Sequence, residues 1–454
     1  VNTTTESICA TPDDEFGALV LAARCNGIGS IPANVHRSAR LTLLDTLGVA
    51  AAGSMTTAGK ASLKAAGEIW GEGGATVWFS KRRLRPVGAA FVNATYAAAL
   101  DLDDGHRQAS GHPAAAIVPA VLAVAEHIGC SSDRLLSALV LGYEIAVRIA
   151  AARDIKTIRT TDTGLWCGPG VAAACGWLTG QPTSVIAHAI AIAGQTATSQ
   201  AATGWTKLGH TVKEGIPWAT ANGLQAVALA AAGHRGPLDL LDVPSFYDRQ
   251  RLLNDYSEDW AIQGAYFKLY SCCRWAHAAI DGALELAARL QVDADDIEDL
   301  LIETFDRALT LPNQSEPQSA EAAQYSIPFC VALALIHGPQ ALLPMADTYL
   351  SDKRVISLAR RVRLLSINKY ADVFPASTPA CVTITAKGRS EEVEVLHPKG
   401  EAQNPLTVKE LQEKFWKLSS ALCKKQRFGI VAAADGLGVH DSATALFEAL
   451  GGYG

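Results

Sequence analysis

From about Glu15 to Ala232, alanine, leucine, isoleucine and valine return at three- and four-residue spacing, interrupted by glycine, proline and polar clusters. That is the period of helices with a buried face. The spacing predicts helices over Ile31–Ala52, Val87–Ala99, Ala114–Ile128, Asp133–Ala151 and Ser184–Ala193, and another from Pro217. Pro32 suits the first turn of the first of these, where a missing N–H costs nothing, and Gly53-Ser54 suits its end. The run Ala75–Ser80 (ATVWFS) has β character and is expected to form a small hairpin with Lys81–Arg85. So many alanines let helix backbones approach closely while leucines fill the remaining volume, which predicts a dense bundle.

The texture changes near Ala265. Ile297–Thr304, Val362–Leu365, Ala380–Ala386 and Glu391–Leu396 alternate or run β-branched, as strands do, with helices expected between them at His277–Leu290, Ala320–Ile336 and Asp352–Arg360. Helical periodicity returns over Thr407–Leu422 and Ala443–Leu450. The chain therefore reads as leaving one helical domain for a smaller α+β domain and coming back to the first.

Composition narrows the function classes. A chain of 454 residues, 49% hydrophobic and 19% charged, has the interior of a multi-domain globular protein and excludes a disordered one. Its 39 basic and 45 acidic side chains give a net charge of −6 with no basic stripe, so nucleic acid is not an expected partner. The longest apolar runs, Ala114–Ala125 and Ala226–Ala232, fall short of the roughly 20 residues a membrane span needs. The first stretch, VNTTTESICATPDDEFG, lacks the basic and apolar segments of a secretory signal, and the ten cysteines are sparse, several within apolar helical patterns. Reduced thiols in a cytoplasmic setting are the expectation.

Candidate chemistry gathers in three places. Leu100–Ala120 (LDLDDGHRQASGHPAAAIVPA) holds three carboxylates, two imidazoles and one guanidinium between two alanine-rich helices. Asp101 and Asp104, three apart, would share one face of a helical turn and, with His106 and His112, shift one another's pKa to give a proton donor and acceptor near neutrality. His112-Pro113 opens the next helix and leaves neighbouring amides free to face an anion, although a solvated loop with an aspartate cap is the plainer alternative. In Lys207–Lys213 (KLGHTVK), two lysines flank His210 and could hold substrate carboxylates or move a proton; an exposed basic turn is the alternative. In Lys268–His277 (KLYSCCRWAH), Arg274 and His277 would share a helix face, with Cys273 one turn before His277. Cys272-Cys273 has no CxxC or HxxxH companion, so no metal site is expected. No phosphate loop, GxGxxG turn or GxSxG elbow occurs, which removes support for nucleotide cofactors and serine-hydrolase chemistry. Acid–base work by His, Asp and Lys on a small anion remains.

Five segments stand in an order that resembles the MmgE/PrpD superfamily: RLTLLDTLGVAAAGS (Arg40–Ser54), FVNATYAAALDLDD followed by GHPAAAIVPA, LGYEIAVRIA (Leu141–Ala150), KEGIPWATANG (Lys213–Gly223) and KLYSCCRWAHAAIDGALEL (Lys268–Leu286). Members include 2-methylcitrate dehydratase, cis-aconitate decarboxylase and iminodisuccinate epimerase. The resemblance implies a mainly α protein with a large all-α domain (1–264 and 405–454), a smaller α+β lid domain (265–404), a homodimer, and catalysis in the cleft between domains with no cofactor. It makes Asp101 the family's catalytic aspartate and His112 the histidine of its His-Pro motif. Lys213 becomes its lysine, with Lys207 the alternative if an insertion follows, and Arg274 or His277 the lid-side basic residue. The chain departs from the decarboxylase branch at Gly105, which stands where that branch has threonine, and at an extra residue before His112. Near Thr161 it lacks a histidine that many members carry, and Phe329 takes the place of a tyrosine.

These readings converge on a cofactor-independent lyase acting on a small di- or tricarboxylate, an alkylcitrate-type dehydratase first. An epimerase, a decarboxylase and a non-catalytic helical scaffold are the alternatives. Asp101, His112, Lys213, His210 and His277 are the expected proton-transfer and catalytic groups. Asp104, His106, Lys207, Lys268 and Arg274 are the expected contacts to substrate.

Overall fold

The computed structural model describes residues 15–155, 157–158, 160–198, 210–254 and 259–452. The first helices are α1 (Gly17–Asn26), α2 (Ala33–Gly53), α3 (Thr57–Trp70), α4 (Pro86–Ala98), α5 (Pro113–Ile128), α6 (Ser132–Ala151), α7 (Cys167–Leu178), α8 (Thr183–Gln195), α9 (Ile216–Ala231) and α10 (Arg249–Leu253). Then come α11 (His277–Leu290), α12 (Ala320–Gln324), α13 (Ile327–His337) and α14 (Lys353–Ala359), and near the end α15 (Val408–Leu418), α16 (Lys424–Gly436) and α17 (Thr444–Leu450). The fold is mainly α, as the periodicity predicts. None of these helices is long and apolar enough to cross a membrane.

Two large hydrophobic cores organise the molecule. The first takes residues from Ala18 to Ile262 and again from Phe415 to Leu450; the second runs from Tyr270 to Ala386. In the first, small side chains set the helix spacing. Where α6 meets α7, a Cβ on Gly170 would lie 2.6 Å from the Gly142 carbonyl oxygen, so only glycine permits that approach.

The second core lies under a sheet ordered β6 (Val362–Ser366), β5 (Ile297–Thr304), β7 (Ala380–Ala386), β8 (Arg389–Val395). β5 and β6 run parallel, and the other two pairings are antiparallel. Burial alternates along β7, and its inward residues meet α11. Two short antiparallel pairings make up the other strands among the described residues. β1 (Glu72–Thr76) joins β2 (Arg83–Leu84), displaced from the expected Ala75–Ser80 and Lys81–Arg85; β3 (Gly105–His106) joins β4 (Ala265–Tyr266). The segment expected as one helix over Ala320–Ile336 is two. Pro328 disfavours helical geometry before it, and the Ser326 hydroxyl caps α13 by accepting from Phe329 N at 3.2 Å.

α15 ties the end of the chain to the loop after α4. A capping box at Thr407 and Glu410 starts it, and Leu411, Phe415 and Leu418 are buried, with Phe415 packed against Gly48 of α2. On the same face Lys414 is buried with Nζ 2.6 Å from Asp45 Oδ1 and 3.0 Å from the Leu102 carbonyl. Removing one member of such a pair leaves the other charge stranded. Lys414→Met is expected to cost about 3–5 kcal/mol in urea unfolding, with most of that loss recovered in Asp45→Leu/Lys414→Met; equal stability of the single variant and the wild type would contradict the account.

Candidate active site

α4 ends at Ala98, and Asp101 turns the chain with φ +51°, a left-handed conformation rare for a residue with a Cβ. Asp101 and Asp104 therefore do not share a helical face as the spacing suggests. Asp104 serves the fold instead. Its Oδ1 accepts from Ala114 N (3.1 Å) at the start of α5, and its Oδ2 accepts from the Tyr143 hydroxyl (2.8 Å). The helix N-terminus expected to face a substrate anion thus already meets an internal carboxyl group, whose pKa burial and then the adjacent Asp103 raise to about 7.

His112 precedes Pro113 at the N-terminus of α5. Its backbone N–H donates to Thr163 Oγ1 (3.1 Å), and its Nδ1 lies 2.6 Å from the Asp104 carbonyl, which can only accept. Nδ1 therefore carries a proton, and Nε2 sits 3.7 Å from Asp101 Oδ1. Burial and Lys268 oppose an imidazolium here, but Asp103, Glu214 and Asp101 outweigh them and raise its pKa. His106, on β3, behaves oppositely. Buried and without a hydrogen-bond partner at Nδ1 among the described residues, it has a pKa lowered to about 4 by burial, against a weaker pull from the Ala261 backbone.

Lys268 has no exposed surface and donates to both the Asp101 carbonyl (2.9 Å) and Oδ1 (3.0 Å). Burial would raise the Asp101 pKa, yet Lys268, Lys213 and His112 together bring it to about 2. Lys213 donates to Gln324 Oε1, and its Nζ lies 5.1 Å from the centre of the Tyr325 ring. Lys213, Glu214 and Gly215 occupy consecutive left-handed conformations. Such backbone costs of order 1–3 kcal/mol per non-glycine residue. Glu214 anchors the turn by accepting from Thr163 N (3.0 Å) and Oγ1 (2.6 Å).

Across the junction Glu401 accepts from Arg107 Nε (3.0 Å) and Arg274 Nε (2.8 Å), while both guanidinium groups lie over the Tyr266 ring. The remaining donors of Arg274 reach the Pro398 and Lys399 carbonyls and, at 3.0 Å, His277 Nδ1. Arg274 is thus spoken for by the protein. Burial, then the Arg274 charge, pushes the His277 pKa well below the ordinary imidazole range, so His277 is neutral and packed behind Arg274.

A cavity of about 40 Å³ lies where these elements meet, with His106, Arg107, His112, Glu214, Tyr266 and Arg274 on its wall. Thr161 lines it too, so the expected departure falls within the site. Asp101, Lys213 and Lys268 form no part of that wall, and Phe329 is buried in the second core. His210 is exposed, with Nδ1 3.6 Å from Glu321, and is not brought to the cavity; Lys207 lies outside the described residues. Sequence reasoning missed Glu214, Arg107, Tyr266 and Glu401. Glu214 and Arg107 adjoin residues already singled out, whereas Tyr266 and Glu401 carry no local signal. Among the described residues no group of His, Cys, Asp and Glu is arranged to hold a metal ion.

Two family models account for most of the chain: the MmgE/PrpD N-terminal domain over residues 22–250 and the MmgE/PrpD C-terminal domain over 270–435. The chain belongs to the MmgE/PrpD family. Similar proteins include a cis-aconitate decarboxylase-like protein, oryM, of Aspergillus oryzae, 25% identical over 450 residues, covering 90% of this chain and 92% of the relative. The cis-aconitate decarboxylase of Mus musculus is 27% identical over 354 residues (73% and 71%), and one from Aspergillus terreus is 24% identical over 368 residues (73% and 74%). This MmgE/PrpD protein is an enzyme, and the lyase class expected from its sequence agrees with these relatives.

Gly105 has a physical explanation. The Tyr266 ring fills the space a Cβ would need at that position, across the β3–β4 pair. Gly105→Ala is expected to lower Tm by several degrees; an unchanged melting curve would show that the ring yields freely.

Proposed function

We propose that this protein is a lyase that acts on a small di- or tricarboxylic acid, using His112 and His106 as an opposed acid and base. The observation that carries this reading is the divergence of two imidazoles on one cavity wall: His112 has its pKa raised, while His106 is held near 4. Environments that push like groups apart assign acid and base roles at neutral pH. In a dehydration, the neutral imidazole of His106 takes the proton next to a carboxylate once the site has opened, and the C–H electron pair forms the double bond. His112 Nε2 then gives its proton to the departing hydroxyl, which leaves as water. Asp101, Asp103 and Glu214 sustain the charge on His112, and Lys268 and Lys213 keep Asp101 ionised. Two groups with opposite tasks favour an alkylcitrate-type dehydratase. Decarboxylation is the second reading, favoured by the activity named for the relatives. There the C–C electron pair stays on carbon as CO2 leaves, and His112 protonates that carbon.

A cavity of about 40 Å³ accommodates a few water molecules and no six-carbon acid. Substrate entry on this reading parts the Arg107 contacts with Glu401 and Thr378, so the unit around the second core acts as a lid.

Incubation with 2-methylcitrate and cis-aconitate in deuterated water, followed by NMR, tests the reading. Loss of water from methylcitrate is expected. CO2 release from cis-aconitate selects the second reading, and deuterium uptake without net product indicates an epimerase. Silence on both substrates removes the enzymatic assignment of this site. With the responsive substrate, kcat/KM should fall below about pH 4, as His106 gains a proton, and fall again on the alkaline side of 6.5, as His112 loses one. His106→Asn and His112→Ala should each lower kcat by about 10²–10⁴-fold; full activity in His112→Ala ends its role as the acid.

A further inference from the structure

Arg107 and Arg274 both stand on the wall of the candidate active site, and both turn to one carboxylate, Glu401, in the loop between β8 and α15. Glu401 is only 2% exposed. Burial opposes its charge, but Arg274 and then Arg107 hold its pKa below the ordinary range, so it is ionised. Two guanidinium ions and one carboxylate leave a surplus positive charge at the wall.

The two arginines are held unequally. The Arg274 side chain is 3% exposed, and besides Glu401 it donates to the Pro398 and Lys399 carbonyls, in the same loop. The Arg107 side chain is 17% exposed and belongs to the short loop that joins β3 to α5, between His106 and His112. Its Nε lies 3.0 Å from Glu401 Oε2, and its Nη2 reaches Glu401 Oε1 and, at 2.9 Å, Thr378 Oγ1. Nη1 donates to no described residue and, unlike His106 Nδ1, is not sealed from solvent. Were Arg107 to let go, Glu401 would keep Arg274, and the charge left without a partner would be that of Arg107 alone.

We propose that Arg107 receives a carboxylate of the incoming acid and that Glu401 fills its fork until then, so that opening of the site exchanges one carboxylate for another. The planar fork that holds Glu401 side-on suits a second carboxylate, and the Tyr266 ring, 5.1 Å from the Arg107 guanidinium, supports the cation through the exchange. Entry of an acid strands no charge. Entry of a neutral molecule of the same shape leaves Arg107 unpaired, which selects against it. The inference rests on the reading of this cavity as the substrate site, and it names the side chain that selects acids there.

Calorimetric titration of the intact protein with tricarballylate, a tricarboxylate with no hydroxyl to lose, tests it at fixed ionic strength. Arg107→Gln should bind the probe about tenfold more weakly or worse, and Glu401→Gln, which frees the fork, should bind it several-fold more tightly. Arg107→Lys keeps the charge without the fork and should recover only part of the loss. Weaker binding in both Arg107→Gln and Glu401→Gln marks a bridge that only shapes the site and overturns the proposal. Full recovery in Arg107→Lys does so too, because a charge acting at a distance would then suffice, and so does absence of binding by both the wild type and Glu401→Gln. If Glu401→Gln does not fold, unchanged affinity in Arg107→Gln is enough to overturn it. Turnover separates this inference from the reading beneath it. Probe binding that depends on Arg107 in a protein silent on every acid removes the lyase assignment and leaves the contact, whereas turnover by Arg107→Gln at the wild-type KM removes the contact and leaves the assignment.

Discussion

A lysine with no exposed surface, Lys268, holds both the carboxylate and the carbonyl of Asp101 across 167 residues of sequence. Its neighbours follow the same pattern: Lys414 reaches Asp45 across 369 residues, and Arg107 reaches Glu401 across 294. Each ion has given up water and can be tolerated only in the presence of its distant partner. Such pairs add little net stability over well-packed apolar residues. What they impose is register: the Lys414 pair sets α15 against α2 within the first core, and for the Lys268 and Arg107 pairs an approach of the two cores in any other arrangement strands a charge.

The same pairs set the electrical character of the cavity wall. Asp101 stays ionised because three cations surround it, and its charge helps keep a proton on His112. His106 is a short distance along the same loop, with Ala261 and no carboxylate among the influences on its pKa, and it stays neutral. Burial acts on both imidazoles in the same direction, so the difference between them is a difference in company. The guanidinium groups of Arg107 and Arg274, laid over Tyr266, bring the second core to this wall with two positive charges sharing the one carboxylate of Glu401.

Much of the architecture was legible in the sequence because it rests on local patterns. The helix His277–Leu290 and the strands Ile297–Thr304 and Ala380–Ala386 fall at the residues their periodicity marks. The cluster around His112 was legible because ionisable residues are crowded between alanine-rich helices. The roles within it were less so. Spacing of three suggested that Asp101 and Asp104 act together, whereas a left-handed turn separates them and gives Asp104 to the α5 amides and Tyr143. Arg274 and His277 do lie in contact, as their spacing suggests, but with the arginine donors turned to protein carbonyls and Glu401. Glu401 and Tyr266 could not be read in advance, since no periodicity records a contact made across the junction of two cores.

The Lys414 contact with the Leu102 carbonyl and Asp45 has a bearing on how the chain matures during synthesis. A nascent polypeptide emerges from its N-terminus, and domains tend to fold as units while translation continues. Here the loop that carries Asp101 waits for an ammonium supplied by α15, after the whole sheet of the second core has been made. A ribosome stalled before that helix would release a protein with much of its helical interior built and the support beneath Leu102 missing.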